Sequence, residues 1–199
     1  MTTFKRPDYD QKLRLVENQV ADVEKAIRYC RGNRVVVQAG GAYGVWPLAL
    51  SQRFYTVYTF EPDPQNYPLL VANTADCANV IRWQAALGSH AGFVAVQRDA
   101  SEADNAGAGY VVEGGTVPVV ALDTLQLPEL DLLCLDVEGY ELEALTGAIR
   151  TIRSHRPVVM LECKPLPHMT RDPNAAVELL LDLGYEVREK VNRDVVLSC

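Results

Sequence analysis

VVVQAGGAYGVWPLAL, residues 35–50, sets a β-branched block directly against a turn holding three glycines and runs on into the start of a helix. β-Branched side chains favour a strand, glycines allow a sharp reversal, and Pro47 suits a first helical turn, where its missing N–H costs nothing. A turn of this kind, opening at a helix N-terminus, is where doubly wound sheets hold nucleotide-like ligands, because small residues and free backbone amides permit close approach. The dinucleotide spacing G-x-G-x-x-G is not met: counting from Gly40, the second and third glycine positions hold Ala42 and Val45. No Gly-Lys-Ser/Thr follows, which excludes a P-loop. The looser x-x-G-x-x-x-G is met by Gly40 and Gly44.

Outward from this stretch the pattern alternates. Residues 55–60 and 80–85 read as strands, with helices at 45–53 and 65–75, a rhythm that implies parallel strands joined by right-handed crossovers. Residues 93–97 form a short strand, and 99–115, polar and dotted with glycine, are expected to be a mobile surface loop or a lid. Another strand falls at 117–121. The nearly continuous apolar run 130–136 suits a central buried strand. A helix at 141–154 carries Leu142, Leu145, Ile149 and Ile152 on one side, a strand follows at 157–162 and a helix at 174–183, and 185–189 with 195–198 pair as a terminal antiparallel hairpin. Before the glycine turn, Leu13, Val16, Val20, Val23 and Ile27 mark one face of a helix over 10–30. Residues 1–33 therefore read as a helix packed on the same domain that 34–199 build.

The bulk composition agrees with one folded α/β domain: 199 residues, 48% hydrophobic, 23% charged. A formal charge of −7 disfavours affinity for phosphate backbones, so nucleic acid is an unlikely partner. No run is apolar enough for a bilayer and the opening residues do not resemble a secretory signal, which leaves the cytoplasm as the expected location. The five cysteines, Cys30, Cys77, Cys134, Cys163 and Cys199, are scattered and fit reduced thiols better than disulfides or zinc.

Glu61 ends the second strand, where a carboxylate can accept hydrogen bonds from both hydroxyls of an adenosine ribose. With it in place, VVVQAGGAYG, YTFEPDPQNYPLLVAN, AALG, LDTL, LLCLDVEGYELEALTGA and RPVVMLE together, and in this order, resemble the FkbM family of S-adenosylmethionine-dependent methyltransferases. The resemblance covers residues 34–162. It implies a Rossmann-like class I methyltransferase fold, α/β, with a mostly parallel seven-stranded sheet, a C-terminal antiparallel hairpin and helices on both faces. It also implies S-adenosyl-L-methionine as cofactor and S-adenosyl-L-homocysteine as product. The segment from Gln38 and Ala39 through Gly40, Gly41 and Gly44 would wrap the methionine part, Glu61 would hold the ribose, Pro62 and Asp63 would shape the adenosine pocket, and Gln84 and Ala85 would line the adenine. Two positions depart from the family pattern, which usually has Asp at Gln38 and Asn at Ala42; Gln offers an amide oxygen without charge.

Methyl transfer requires a nucleophile aligned with a sulfonium methyl and usually the removal of a proton. Asp136 and Glu138 in LDVEGYE, at the end of the fourth main strand, are the expected catalytic pair, Asp136 orienting the acceptor or acting as base and Glu138 assisting. The plainer alternatives are that these acids cap the following helix and that Glu61 caps the helix beginning near Pro64. Glu162, Lys164 and His168 would face the same rim, and no metal is assigned. The expected activity is O-methylation of a small-molecule or carbohydrate hydroxyl, the acceptor entering over 99–115. The alternative is a non-catalytic S-adenosylmethionine-binding module. A nicotinamide oxidoreductase lacks its glycine spacing, and a nucleic-acid methyltransferase lacks both a basic face and an N/D-P-P-Y/F tetrapeptide. A homodimer that completes the pocket remains open.

Overall fold

A computed structural model of the chain describes residues 4–8, 13–98, 100–169 and 172–199, with the side chains of 13–19 outside the described part. Strands β1 (Val35–Ala39), β2 (Thr56–Phe60), β3 (Val80–Trp83), β8 (Leu132–Leu135), β9 (Val158–Glu162), β10 (Glu186–Val191) and β11 (Asp194–Ser198) form one sheet in the order β10-β11-β9-β8-β1-β2-β3. The five strands from β9 to β3 run parallel, and β11 enters antiparallel between β9 and β10. The terminal hairpin expected from 185–198 is therefore part of the main sheet.

The two faces follow from the period of two along a strand. Val35, Val37, Leu133, Leu135, Val159, Leu161, Val195 and Leu197 share one apolar cluster with residues of α4 (Glu141–Thr146), α5 (Ile149–His155) and α6 (Ala175–Asp182). Their alternates Val36, Leu132, Cys134, Val158, Met160 and Val196 share a second cluster with Val23 and Ala26 of α1 (Leu13–Ile27) and Trp46 and Leu50 of α2 (Val45–Ser51). Both faces are thus covered, which is why β8 and β9 carry apolar residues without interruption. On α1, the expected apolar face is seen at Val23 and, partly buried, at Ile27, joined by Ala26; Leu13 and Val16 lie outside the described side chains, and residues 10–12 outside the described chain. The remaining helix of this side, α3 (Tyr67–Asn73), buries Leu70.

Three features differ from the sequence expectation. The crossover from β3 to β8 builds a second sheet, ordered β4-β7-β5-β6, from β4 (Ala86–Leu87), β5 (Gly92–Arg98), β6 (Gly109–Glu113) and β7 (Val117–Val120). Of the segment read as a loop or lid, the first part is the connection of a β5–β6 hairpin, carrying a short 3₁₀ turn at Ala100–Glu102, and Gly109–Glu113 is the hairpin's second strand; Asp99 lies outside the described residues. The helix expected over 141–154 is two helices, parted at Gly147. A Cβ on Gly147 would stand 1.9 Å from the Gly88 carbonyl oxygen, so the break is where β4's exit and the helix pair meet backbone to backbone. Asp123, in the LDTL segment, explains how α5 restarts: its carboxylate accepts hydrogen bonds from the N–H of Thr151 at 2.8 Å, the N–H of Arg150 at 3.0 Å and the Thr151 hydroxyl at 2.8 Å. Burial raises the Asp123 pKa, but these donors together bring it below the ordinary value.

Candidate active site

The strand ends β1, β2, β8 and β9 all open on one cavity of about 430 Å³. Its first wall is the glycine turn. Gly40, Ala42 and Gly44 all have positive φ, at 84°, 43° and 99°. Gly40 admits no side chain, because a Cβ there would sit 1.7 Å from the Asp136 carbonyl oxygen, and one on Gly41 would sit 2.4 Å from Leu70. The N–H groups of Gly40 and Gly41 both donate to the Phe60 carbonyl at 3.0 Å. These glycines serve the close approach of β1, β2 and β8, and their amides are engaged within the protein instead of standing free as the sequence reading had them.

Glu61 holds the turn from the other side. Its Oε2 accepts the Ala42 N–H at 2.6 Å and its Oε1 the Asp63 N–H at 2.8 Å, so both oxygens are fixed and each keeps further acceptor capacity. The side chain is 5% exposed and lines the cavity. Burial, partly offset by those two amides, lifts its pKa to about 8. Glu61 accepts no N–H of α3; the turn leading into that helix is held by Asp63, whose side chain accepts the Gln65 N–H in an Asx-type bond. Asp63 is itself buried and pairs with Arg98 at 2.7 Å.

Ala39, Gly40, Gly41, Glu61, Pro62 and Ala85 of the expected cofactor set line the cavity. Gln38, Gly44, Asp63 and Gln84 do not. Gln38 is fully buried on the α1–α2 face, its Oε1 accepting from the Thr59 hydroxyl at 2.6 Å and its Nε2 donating to the Gly40 carbonyl at 2.7 Å. Gln84 is exposed. Asn66 at the start of α3 was not foreseen: it donates to the Ala106 carbonyl at 2.8 Å, bringing the tip of the β5–β6 hairpin onto the Pro62 side of the cavity.

The opposite end is acidic. Asp136 and Glu138 line it, as do Glu162 and Lys164 after β9, Asp22 of α1, and Arg193 with Asp194 at the β10–β11 turn. Carboxylate oxygens of Asp136, Glu138 and Glu162 lie within 4.8 Å of one another, and the Lys164 ammonium sits 2.7 Å from Glu162 and 3.1 Å from Glu138. The cluster thus has a resident cation. Burial, and then Glu162 and Glu138, push the Asp136 pKa well up; burial and then Glu162 raise that of Glu138. The sharp turn carrying Glu138, at φ 52°, and Gly139, at φ 96°, is held by Glu141, whose Oε1 accepts the N–H groups of Val137 and Gly139 at 3.1 and 3.3 Å. Glu141 thus braces the turn before α4, and the Tyr140 side chain at the helix N-cap makes no capping hydrogen bond. His168 joins the rim by another contact: its Nε2 is 2.8 Å from the Glu138 carbonyl and its ring stacks on Tyr110 of β6 at 3.8 Å.

A parallel sheet with one reversed strand beside its last parallel one, a glycine turn after β1 and an acid ending β2 define the class I methyltransferase fold. Solved structures agree. A methyltransferase FkbM from Methylobacillus flagellatus superposes with a TM-score of 0.57 at 18% identity, over 98% of this chain and 56% of that one. Precorrin 8W decarboxylase from Methanobacterium thermoautotrophicum gives 0.51 at 16%, over 100% and 95%, and the Synechocystis magnesium protoporphyrin IX methyltransferase with bound S-adenosylmethionine gives 0.51 at 14%, over 98% and 85%. At these identities the likeness is one of fold. The chain thus spans little more than half of the Methylobacillus protein. A comparison with curated proteins found no match. Residues 38–187 match the family model described as the methyltransferase FkbM domain, and the chain belongs to that family, whose members use S-adenosylmethionine. Among the described residues, no helix is long and apolar enough to cross a membrane.

Proposed function

We propose that this chain is an S-adenosylmethionine-dependent O-methyltransferase of a small molecule or sugar, working in a reducing, cytoplasmic setting that its five free cysteines suit. The observation that carries the reading is a single cavity with Glu61, pinned by two amides, at one end and Asp136 with Glu138 at the other. The residues fit the cofactor: Glu61 is buried at the cavity wall, which raises its pKa, and beyond the two amides it accepts it retains acceptor capacity for a ribose diol. Ala39, Gly40 and Gly41 would face the methionine part, and Pro62 and Ala85 the adenosine. Gln38 contributes no charge there, so the duty of the usual aspartate passes to a neighbouring acid or is not performed.

When bound, the cofactor supplies an electrophilic methyl on a positively charged sulfur. Asp136 would hold the acceptor hydroxyl and accept its proton as that oxygen takes up the methyl group. Burial and the neighbouring Glu162 and Glu138 raise the Asp136 pKa, which makes its carboxylate a stronger base for that role. Glu138, fixed by Lys164 and by the turn that Glu141 holds, would orient the acceptor. Incubation with methyl-labelled S-adenosylmethionine and a panel of sugars and small alcohols tests the reading, with label expected in at least one acceptor and not with Asp136→Asn. Cofactor binding without transfer to any member would favour the alternative of a binding module, which the uncharged, inward-turned Gln38 supports.

A further inference from the structure

The acidic end of the cavity is more acidic than the proposed reaction needs. Five carboxylates converge there from four parts of the chain: Asp22 from α1, Asp136 and Glu138 after β8, Glu162 from β9 and Asp194 from β11. The sheet register sets Asp194 directly opposite Glu162 across the β9–β11 ladder, a like-charge pairing that destabilises a sheet. Burial and then Glu162 and Asp22 lift Asp194 to about 7. The cations near these groups among the described residues are Lys164, held between Glu138 and Glu162, Arg193, which lines the cavity, and Lys25, 3.3 Å from Asp22.

The proposed cofactor carries a sulfonium and an ammonium against one carboxylate, so it adds a single positive charge. Were all five carboxylates ionised beside the three cations, it would leave one without a counter-charge, so that acid holds a proton until another cation arrives. The described residues place no hydrogen-bond donor on the carboxylate of Asp136. One donor is also left without an acceptor: Trp46, 6% exposed and lining the same cavity, has its indole Nε1 buried and unbonded. A ligand that answers both carries a cationic nitrogen with N–H groups and an oxygen that accepts.

Resting on the methyltransferase reading of this cavity, we propose that the acceptor is an amino alcohol or amino sugar, its protonated amine held between Asp194 and Asp22 while a nearby hydroxyl, placed against Asp136, is methylated. The same carboxylates reject acceptors that carry a carboxylate or phosphate at this position. In the free protein the crowded acids keep protons that a bound ammonium displaces, so binding of the amine is accompanied by proton release.

The test uses protein saturated with S-adenosylhomocysteine, titrated by calorimetry or ligand-observed NMR with two matched sets: glucosamine, N-acetylglucosamine, glucose and glucuronate; and 2-aminoethanol, ethylene glycol and glycolate. The amine is expected to bind at least tenfold more tightly than its neutral partner in one set or both, with N-acetylglucosamine behaving as glucose and the acids failing to bind. Equal affinity across a set's charge types in both sets, tighter binding of an acid, or no binding by any member overturns the proposal. The prior titration with S-adenosylhomocysteine separates this from the reading beneath it: if that product does not bind, the methyltransferase assignment fails first.

Discussion

The affinity for S-adenosylhomocysteine should depend on pH through Glu61. The free carboxylate titrates at about 8 because burial raises it more than the Ala42 and Asp63 amides and Arg98 lower it. A ribose diol donates to the ionised form, so below that pKa the ligand must first displace a proton. At pH 7 about a tenth of the side chain is ionised and at pH 6 about a hundredth, so the dissociation constant weakens by up to about 10-fold and about 100-fold, the latter costing about 2.7 kcal/mol. Above pH 8 it levels off. Linkage for the free protein has the opposite sense: Glu61 is raised from 4.5 in the unfolded chain, so the folded state holds an extra proton between those values and loses stability as pH rises through them. Calorimetric titration from pH 6 to 9 measures the binding. Asp136, Glu138 and Asp194, all raised, line the same cavity, so the decisive quantity is the difference between the wild type and Glu61→Gln, in which this slope should vanish. A wild-type affinity flat across the range, or an undiminished slope in Glu61→Gln, would refute the reasoning.

Other consequences can be checked separately. Asp136→Asn should lower the rate of methyl transfer by about 100-fold or more while leaving product binding within a few-fold, read by labelled transfer and calorimetry side by side. Ala42→Gly should stabilise: the left-handed backbone at φ 43° costs alanine about 1–2 kcal/mol, part of which glycine's added freedom in the unfolded chain offsets, so a thermal midpoint 1–3 °C or so higher is expected and a fall would contradict it. Asp123→Ala should cost about 1–2 kcal/mol in denaturant unfolding, since α5 loses its side-chain acceptor. Because the Asp123 pKa is lowered in the fold, that contribution is present above the unfolded carboxylate pKa and fades as pH falls through the folded one. The gap between wild type and variant should accordingly close in acid.

Much of the fold was legible because buried parallel strands must be apolar on both faces: the runs around β1, β8 and β9 can be little else. The second sheet was not. Its β6, GYVVE, is half-exposed along its length and flanked by glycines, so it has neither a continuous apolar run nor a deeply buried face. The break at Gly147 was equally hidden, since one glycine inside a helical period costs only about 1 kcal/mol and the reason for it, the Gly88 carbonyl, arrives from the β4 exit far away in sequence. At the site, Glu61, Asp136 and Glu138 were readable from their places at strand ends. Gln38 was misplaced because the alternation that sends Val36 toward α1 and α2 sends Gln38 there too, a point its position in the strand already contained. Asp22 left one usable trace, an acid within the buried stripe of α1. Asp194 left none, because only the antiparallel register brings it opposite Glu162.

The most direct measurement is a crystal structure of the protein with S-adenosylhomocysteine. The account predicts the ribose hydroxyls within hydrogen-bonding distance of both Glu61 oxygens, the adenine between Pro62 and Ala85, and the sulfur facing Asp136 and Glu138. A nucleoside bound elsewhere, or a sulfur turned away from those two carboxylates, would contradict it.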